Sequence, residues 1–226
     1  MKNIKIKFVS CFSVIVLLFV SLTDTKAQSV ELGMRLMPTI SSFDVRSADS
    51  STIRGNMTLG FGFGGLIGYN FTENAGIEGD VIFSSISQKY KEVDVEHKIN
   101  LKYLNIPILL SLNTGKTKQI NFNMVAGPQI GISVGSRLFQ TGTGDTYEGQ
   151  GVLSVKKGDL GFAYGTGLDF GMSPSGKSRL SIGFRGVYGL FDISDNSNTI
   201  NTGSYFLLEK VHIKTYSVYI GLSVIL

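Results

Sequence analysis

Cysteine, histidine, proline and tryptophan are all scarce in this 226-residue chain. It contains one cysteine, two histidines, four prolines and no tryptophan. The single cysteine, Cys11, lies in an N-terminal leader, so the rest of the chain has no disulfide, no thiol nucleophile and no thiolate ligand for a metal. Backbone pairing and side-chain packing alone must hold the fold together.

The leader has the features of an export signal. Three lysines precede an apolar run over 8–22, and Thr25 and Ala27 supply the small residues of a cleavage site. The run is shorter than the ~20 residues of a spanning helix, which makes an uncleaved anchor the weaker alternative. We therefore predict a cleaved signal peptide over 1–27 and one mature domain over 28–226.

The charge of the mature domain is close to neutral. The whole chain carries +4, but four lysines and one aspartate belong to the leader, which leaves +1. Without a basic stripe, nucleic acid is excluded as the expected partner. The glycine-rich run 60–68 does not open a helix, so no dinucleotide site is predicted. We expect no cofactor.

Long stretches with a period of two dominate the mature domain. Large apolar residues alternate with glycine over 59–71, and related alternation recurs over 120–134, 160–172, 180–190 and 216–226. This period indicates strands with one apolar face. No apolar run after the leader is long enough for a transmembrane helix, so a membrane span must be a closed β-barrel.

The connections between these stretches alternate between long and short. Eight strands are predicted at 29–37, 58–71, 75–88, 98–112, 119–134, 158–172, 178–191 and 209–226. Short turns join them near 72–74, 113–118 and 173–177, and the other connections are long. Outer-membrane barrels have the same alternation of connection lengths, with the short turns on the periplasmic side. The fold class is therefore predicted as all-β, an eight-stranded antiparallel up-and-down transmembrane β-barrel in the outer membrane of a Gram-negative bacterium.

The face opposite the apolar one is polar and should line the lumen. Its charged members are Glu31, Arg35, Glu78, Asp80, Asp169 and Arg185, joined by Gln119, Asn121, Asn123, Gln129, Ser217 and Ser223. An eight-stranded lumen is too narrow for an open channel, and buried charges must be paired. We predict a structural network of the six charged residues that closes the lumen. A proton or cation path through the same carboxylates is the alternative.

In the predicted strand 98–112, the sequence does not decide which side chains point into the lumen. Lys98, Asn100 and Lys102 are expected to point inward, but the alternation slips near Tyr103 and Leu104. A β-bulge at this point would change which side chains enter the lumen.

Two segments carry a resemblance to a known family. Residues 103–110 read Tyr-Leu-Asn-Ile-Pro-Ile-Leu-Leu, and residues 126–131 read Ala-Gly-Pro-Gln-Ile-Gly. Together with the leader they resemble the PorT-like, porin-family small outer-membrane barrels of Bacteroidota, which share the architecture of the OmpA and OmpX barrels. Pro107 and Pro128 lie inside strands and are predicted to mark bulges or bends. The resemblance implies little about activity, although one branch is linked to protein secretion.

Two other classes of protein fit less well. A lipid-modifying enzyme would need a histidine beside an acid near the outer rim, and the candidates are His97 with Glu96 and His212 with Glu209. No signature of a catalytic triad accompanies them, so no catalytic or metal-binding residue is assigned. A soluble calycin-like barrel would place too many glycines on its outer surface.

We therefore expect a non-enzymatic barrel with a structural or interaction role. The expected partners are outer-membrane lipid and lipopolysaccharide, the barrel-assembly machinery, and an unknown protein bound by the long external loops. The alternating final strand, which ends at Leu226, resembles the signal read by the assembly machinery. A narrow pore or an accessory of a secretion or transport system is the alternative.

Overall fold

The computed structural model describes residues 28–46, 52–54, 58–92, 95–141, 146–149, 158–173, 175–190 and 211–226. Within these ranges the side chains of 42–46, 52–54, 88–92, 95–99, 136–141, 146–149 and 211–213 are not described. The predicted signal peptide lies outside the described residues and stays a prediction. No helix in the described part of the chain is long and apolar enough to cross a membrane.

The described residues form ten strands. They are β1 (Ser29–Arg46), β2 (Thr52–Arg54), β3 (Thr58–Asn70), β4 (Ala75–Glu92), β5 (Val95–Asn113), β6 (Ile120–Thr141), β7 (Thr146–Gly149), β8 (Gly158–Gly171), β9 (Ser178–Gly189) and β10 (Val211–Ile225). The short strands β2 and β7 pair only with β1 and β6 respectively. The other eight form the wall, as predicted.

The wall is a closed antiparallel barrel. Each wall strand pairs with its neighbour in the chain, and β10 pairs back onto β1 from Glu31 opposite Ile225 to Val45 opposite Val211. Closure matters in a membrane because every strand edge then has a hydrogen-bonded partner. The eight-stranded barrel predicted from the alternation is thereby confirmed.

Strand β1 is longer than predicted. The sequence suggested a loop from Pro38, yet the strand continues to Arg46. Pro38 lacks an N–H group, and the ladder to β10 skips positions 37 and 38. On the other side, Pro38 still stands opposite Phe61 of β3, so the strand passes through the proline without ending.

Of the bulge or bend predicted at Pro107 and Pro128, the bulge is absent at both residues. The pairing of β5 with β6 keeps the same register from Pro107 opposite Gln129 to Leu110 opposite Ala126. Pairs are missing only next to the prolines, because a proline cannot donate to the ladder. The two residues therefore interrupt hydrogen bonds without shifting the strands.

The predicted bulge near Tyr103 is present, but its extra residue belongs to the facing strand. Lys102 stands opposite Gly135, whereas Tyr103 stands opposite Ser133, which leaves Val134 of β6 unpaired. Strand β5 consequently keeps its alternation through this point, and β6 is the strand that changes face.

This register corrects the predicted orientation of β5. Leu101 and Tyr103 are buried on the lumen side, 1% and 3% exposed. Asn100 and Lys102 alternate with them and so belong to the outer side, where the Asn100 amide contacts the hydroxyls of Ser85 and Ser87. The side chain of Lys98 lies outside the described residues.

The outer face of the wall is a continuous apolar surface. On β10, Tyr216, Val218, Ile220, Leu222 and Val224 are all exposed, and equivalent rows run along the other wall strands. Exposure of so many large apolar side chains is stable only in contact with lipid. The short turns at 71–74, 114–119 and 172–177 lie at the end of the barrel that, in outer-membrane barrels, faces the periplasm.

The depth of the lipid contact can be tested with arginine substitutions. We expect Ile220→Arg, near the middle of the apolar row of β10, to lower the free energy of unfolding by about 2–4 kcal/mol, because the charge would lie in hydrocarbon. Tyr216→Arg, at the edge of the row, should cost about 0–1 kcal/mol. The measurement is urea unfolding in lipid vesicles, read by heat-modifiable migration on gels. Equal costs at both positions would contradict the assignment of the lipid-facing band.

Candidate functional site in the barrel lumen

A layer of four charged side chains crosses the middle of the lumen. Arg35 forms a two-pronged contact with Glu78, at 2.5 and 2.8 Å, and also lies 3.0 Å from Asp80. Arg185, on the other side, contacts Asp80 at 2.7 Å and Glu78 at 3.0 Å. All four are buried, and their formal charges cancel. We call this set the central layer.

The central layer is covered by an aromatic ring. Tyr219 of β10 is 1% exposed, and the guanidinium carbons of Arg35 and Arg185 lie 4.8 and 5.8 Å from its ring centroid. A guanidinium group over an aromatic face gains electrostatic and packing energy. The ring therefore holds both arginines in place beside their carboxylates.

Glycines on β8 and β9 make the space for this ring. A Cβ on Gly167 would lie 2.3 Å from the Tyr219 hydroxyl, and one on Gly183 would lie 2.5 Å from the same oxygen. Small residues on these strands were predicted to leave room near Arg185. The group that occupies the room beside these two glycines is Tyr219.

Glu31 and Asp169, the other two predicted charges, lie in a second layer nearer the short turns. The Glu31 carboxylate is 2.7 Å from the ammonium of Lys116, and the Asp169 carboxylate is 3.6 Å from it. Ser223 donates to Glu31, and Asn121 and Asn123 donate to Asp169. We call this set, with Lys116, the inner layer.

The pKa of Lys116 is set by two opposing effects. Burial by itself lowers the pKa of the ammonium group, whereas the nearby carboxylates of Glu31 and Asp169 raise it, and the net result lies above the usual value for lysine. Lys116 therefore remains charged at neutral pH.

Arg179 connects the short turns to the inner layer through hydrogen bonds. Its guanidinium is buried and donates to four backbone carbonyl oxygens, those of Lys116, Lys118, Asp169 and Gly176. Gly176 has a φ of 66°, a left-handed conformation that glycine adopts readily. Arg179 thus links the turns 114–119 and 172–177 across the mouth of the barrel.

The remaining lumen is apolar on one side and contains a small cavity. Leu109, Val125 and Ala163 pack together beside the central layer. On the long-loop side of that layer lies a cavity of about 50 Å³, next to Arg185. Its polar lining includes Thr39, Ser84, Tyr103, Asn105, Gln129 and Ser217. This volume suits a few water molecules.

The two histidines considered for an enzyme lie on different wall strands. His97 belongs to β5 and His212 to β10, and these strands are not neighbours in the wall. Their side chains and Glu209 lie outside the described residues. Within the described ranges, no three side chains of histidine, cysteine, aspartate or glutamate are grouped as a metal site.

Sequence reasoning missed three residues of the lumen. Lys116 and Arg179 were not assigned because the first lies in a turn and the second follows one, where strand alternation gives no direction. Tyr219 does follow the alternation of Ser217 and Ser223, but its aromatic side chain was not counted with the polar face. Gln119 was expected in the lumen and is instead exposed, with its amide donating to the carbonyl of Gly171.

A family comparison agrees with this geometry. Residues 26–195 match the family described as the outer membrane protein beta-barrel domain. The chain belongs to this family. It is therefore a protein of the Gram-negative outer membrane, which is the localisation predicted from the strand pattern. Membership in the PorT-like group of Bacteroidota is a finer assignment than this match provides.

Solved structures of outer-membrane proteins are similar to this chain at low sequence identity. OprG from Pseudomonas aeruginosa is 13% identical, with a TM-score of 0.51 over 88% of this chain and 97% of that one. Neisserial surface protein A is 12% identical, with a TM-score of 0.45 over 86% and 96%. The attachment invasion locus protein Ail of Yersinia pestis is 12% identical, with a TM-score of 0.42 over 87% and 99%. A comparison with curated protein sequences finds no match.

The space around Tyr219 gives a direct test of lumen packing. We expect Gly167→Ala to lower the free energy of unfolding by about 1–3 kcal/mol, because the new methyl group would lie 2.3 Å from the Tyr219 hydroxyl. Gly158→Ala is the control, since a Cβ there meets nothing within 4 Å. The free energies are compared by urea unfolding in vesicles. If Tyr219→Ala does not relieve the cost of Gly167→Ala, the tyrosine is not the cause.

The charge balance of the central layer gives a second test. We expect Arg185→Met to cost about 3–5 kcal/mol of stability, because two buried carboxylates are then left with one partner, Arg35, and the layer carries a net negative charge. Adding Asp80→Asn should recover part of that loss, since the layer then regains a net charge of zero. The same unfolding assay measures both variants. A double variant less stable than the single one would refute charge balance as the controlling factor.

Proposed function

We propose that this protein is a non-enzymatic outer-membrane barrel with a structural or interaction role and a lumen closed to ions. The observation that carries the proposal is the central layer, in which Arg35 and Arg185 contact Glu78 and Asp80 directly across the interior. An ion passing through would have to separate these bonded charges in a place with little water. That cost favours a closed lumen.

The proposed interactions take place at the outside of the barrel. A rigid wall with long connections at one end is the arrangement in which loops commonly carry binding residues. We therefore propose that the long external loops bind a protein partner, while the apolar outer face contacts membrane lipid and lipopolysaccharide. The barrel-assembly machinery is the proposed partner during insertion, and the motif at 103–110 supports a place among the PorT-like barrels.

A narrow pore, or a secretion accessory, is the second candidate. The observation in its favour is the cavity of about 50 Å³ beside Arg185. The cavity lies on the long-loop side of the central layer and borders Arg185. A local rearrangement of the arginines would therefore connect the cavity to the part of the lumen on the short-turn side.

Single-channel recording separates the two candidates. We expect the refolded mature protein to give no current steps in a planar bilayer, because a passing ion would have to separate the paired charges of the central layer. Heat-modifiable migration of the same preparation establishes that the barrel is folded and inserted, and heat-denatured protein serves as the control. Steady current steps from folded wild-type protein would overturn the closed lumen and favour the pore.

A further inference from the structure

The outer face of the wall contains a polar patch at the long-loop end of strands β4 and β5. Its members are Ser85, Ser87, Asn100 and Lys102, with Ser85 opposite Lys102 and Ser87 opposite Asn100 in the ladder. Ser85 donates to the Asn100 amide oxygen at 3.3 Å, and the Asn100 amide nitrogen donates to Ser87 at 3.3 Å. We call these four residues the outer polar patch.

The patch begins where the apolar band of β5 ends. The outward residues of β5 from Leu104 to Leu112 are all apolar, and the next outward residue toward the long loops is Lys102. This apolar row covers nine positions of the strand, and a tilted strand needs ~9–11 residues to cross the hydrocarbon core. Lys102 therefore lies at the level of the lipid headgroups, in the leaflet opposite the short turns.

Apolar side chains border the patch on both sides. Phe61 of β3 stands opposite Ser85 and is 48% exposed. Val134 of β6, the unpaired residue of the bulge beside Lys102, is 52% exposed. This combination matches a ligand whose anionic group is attached to acyl chains, because a free inorganic anion would make no use of the apolar borders.

The bulge in β6 also leaves open space beside Lys102. The residue opposite Lys102 is Gly135, where an added Cβ would meet no atom within 4 Å. Bulges commonly occur where a strand presents a side chain to a binding or active site. A group the size of a phosphate can therefore approach Lys102 from this side.

The surroundings of Lys102 provide no acid to neutralise it. Its two neighbours across the ladder, Ser85 and Gly135, are neutral. No salt bridge joins Lys102 to a carboxylate among the side chains that the structure describes. Lys102 is half-buried, so its charge is partly removed from water and favours an anionic partner.

The backbone register adds further basic positions on the same face. Arg137 of β6 stands beside the patch, and Lys98 stands opposite Lys89 one step nearer the long loops. Their side chains lie outside the described residues. The next pair on this face, Lys91 with Glu96, combines opposite charges. Since like charges directly opposite each other destabilise a sheet, an anion bound at this level would be stabilising.

We propose that the outer polar patch binds a phosphate group of lipopolysaccharide in the outer leaflet, with Lys102 as the principal contact. The Asn100 amide has a second N–H group and supplies a neutral donor. Phe61 and Val134 contact the acyl chains next to the phosphate. This inference rests on the proposed contact of the outer face with lipopolysaccharide and assigns the chemistry of that contact to particular residues.

Lipid-dependent stability tests the patch. The refolded mature protein is compared in phosphatidylcholine vesicles with and without lipid A, the phosphorylated lipid portion of lipopolysaccharide. A ligand that binds only the folded barrel raises its urea midpoint. We expect lipid A to raise the midpoint of the wild type. Lys102→Gln should lose most of that rise, whereas Lys102→Arg should keep it because the positive charge remains.

Lys214→Gln is the matched control on the far side of the barrel. Lys214 also lies on the outer side of the wall near the long loops, but its ammonium is 5.6 Å from the ring centroid of Tyr188, the residue opposite it on β9. Because it is not part of the patch, its loss should leave the rise caused by lipid A unchanged. Each variant is referred to its own midpoint in phosphatidylcholine alone, so a general loss of stability does not enter the comparison.

Three results would overturn the phosphate site. They are an equal rise for the wild type and Lys102→Gln, an equal rise from lipid A without its phosphates, and an equal rise from phosphatidylglycerol, which would indicate a response to any anionic bilayer. A wild-type midpoint that does not respond to lipid A would refute the broader contact with lipopolysaccharide as well. Current recordings judge the closed lumen independently of all these results.

Discussion

The structure depends on one constraint, which is that charges inside a lipid-embedded wall must be paired within the protein. Lipid surrounds the barrel, and eight strands enclose too little space for bulk water. The central layer meets this constraint with two arginines and two carboxylates. In the inner layer one lysine, Lys116, lies beside two carboxylates, and serine and asparagine donate hydrogen bonds to those carboxylates.

The same constraint explains where the lumen has small residues. Two guanidinium groups and a tyrosine ring cannot share one level of a narrow barrel unless neighbouring strands contribute almost no volume. Gly167 and Gly183 provide that space, because a Cβ at either position would overlap the Tyr219 hydroxyl. The glycine alternation that indicates strands in the sequence is therefore also a packing requirement of the central layer.

Much of this arrangement could be predicted because strands alternate. The period of two identified the eight wall strands and placed Arg35 and Arg185 on the same face as Glu78 and Asp80. The period could not predict the position along the barrel axis at which these residues meet, because that position depends on strand register. It also could not place Val134 in a bulge, or send Lys116 into the lumen from a turn, because neither feature repeats with the strand period.

In the proposed closed lumen, the two layers act in series and are built by different means. The central layer consists of strand side chains, so it can open only if packed groups separate inside the wall. The inner layer depends on Lys116, whose turn is held by backbone hydrogen bonds with Glu73 and Arg179. The central layer balances its own formal charges, whereas the inner layer has two carboxylates and one lysine and keeps a formal charge of −1. A current measured after disrupting one layer would therefore depend on both layers, whereas the loss of stability in a variant depends mainly on the layer that the substitution changes.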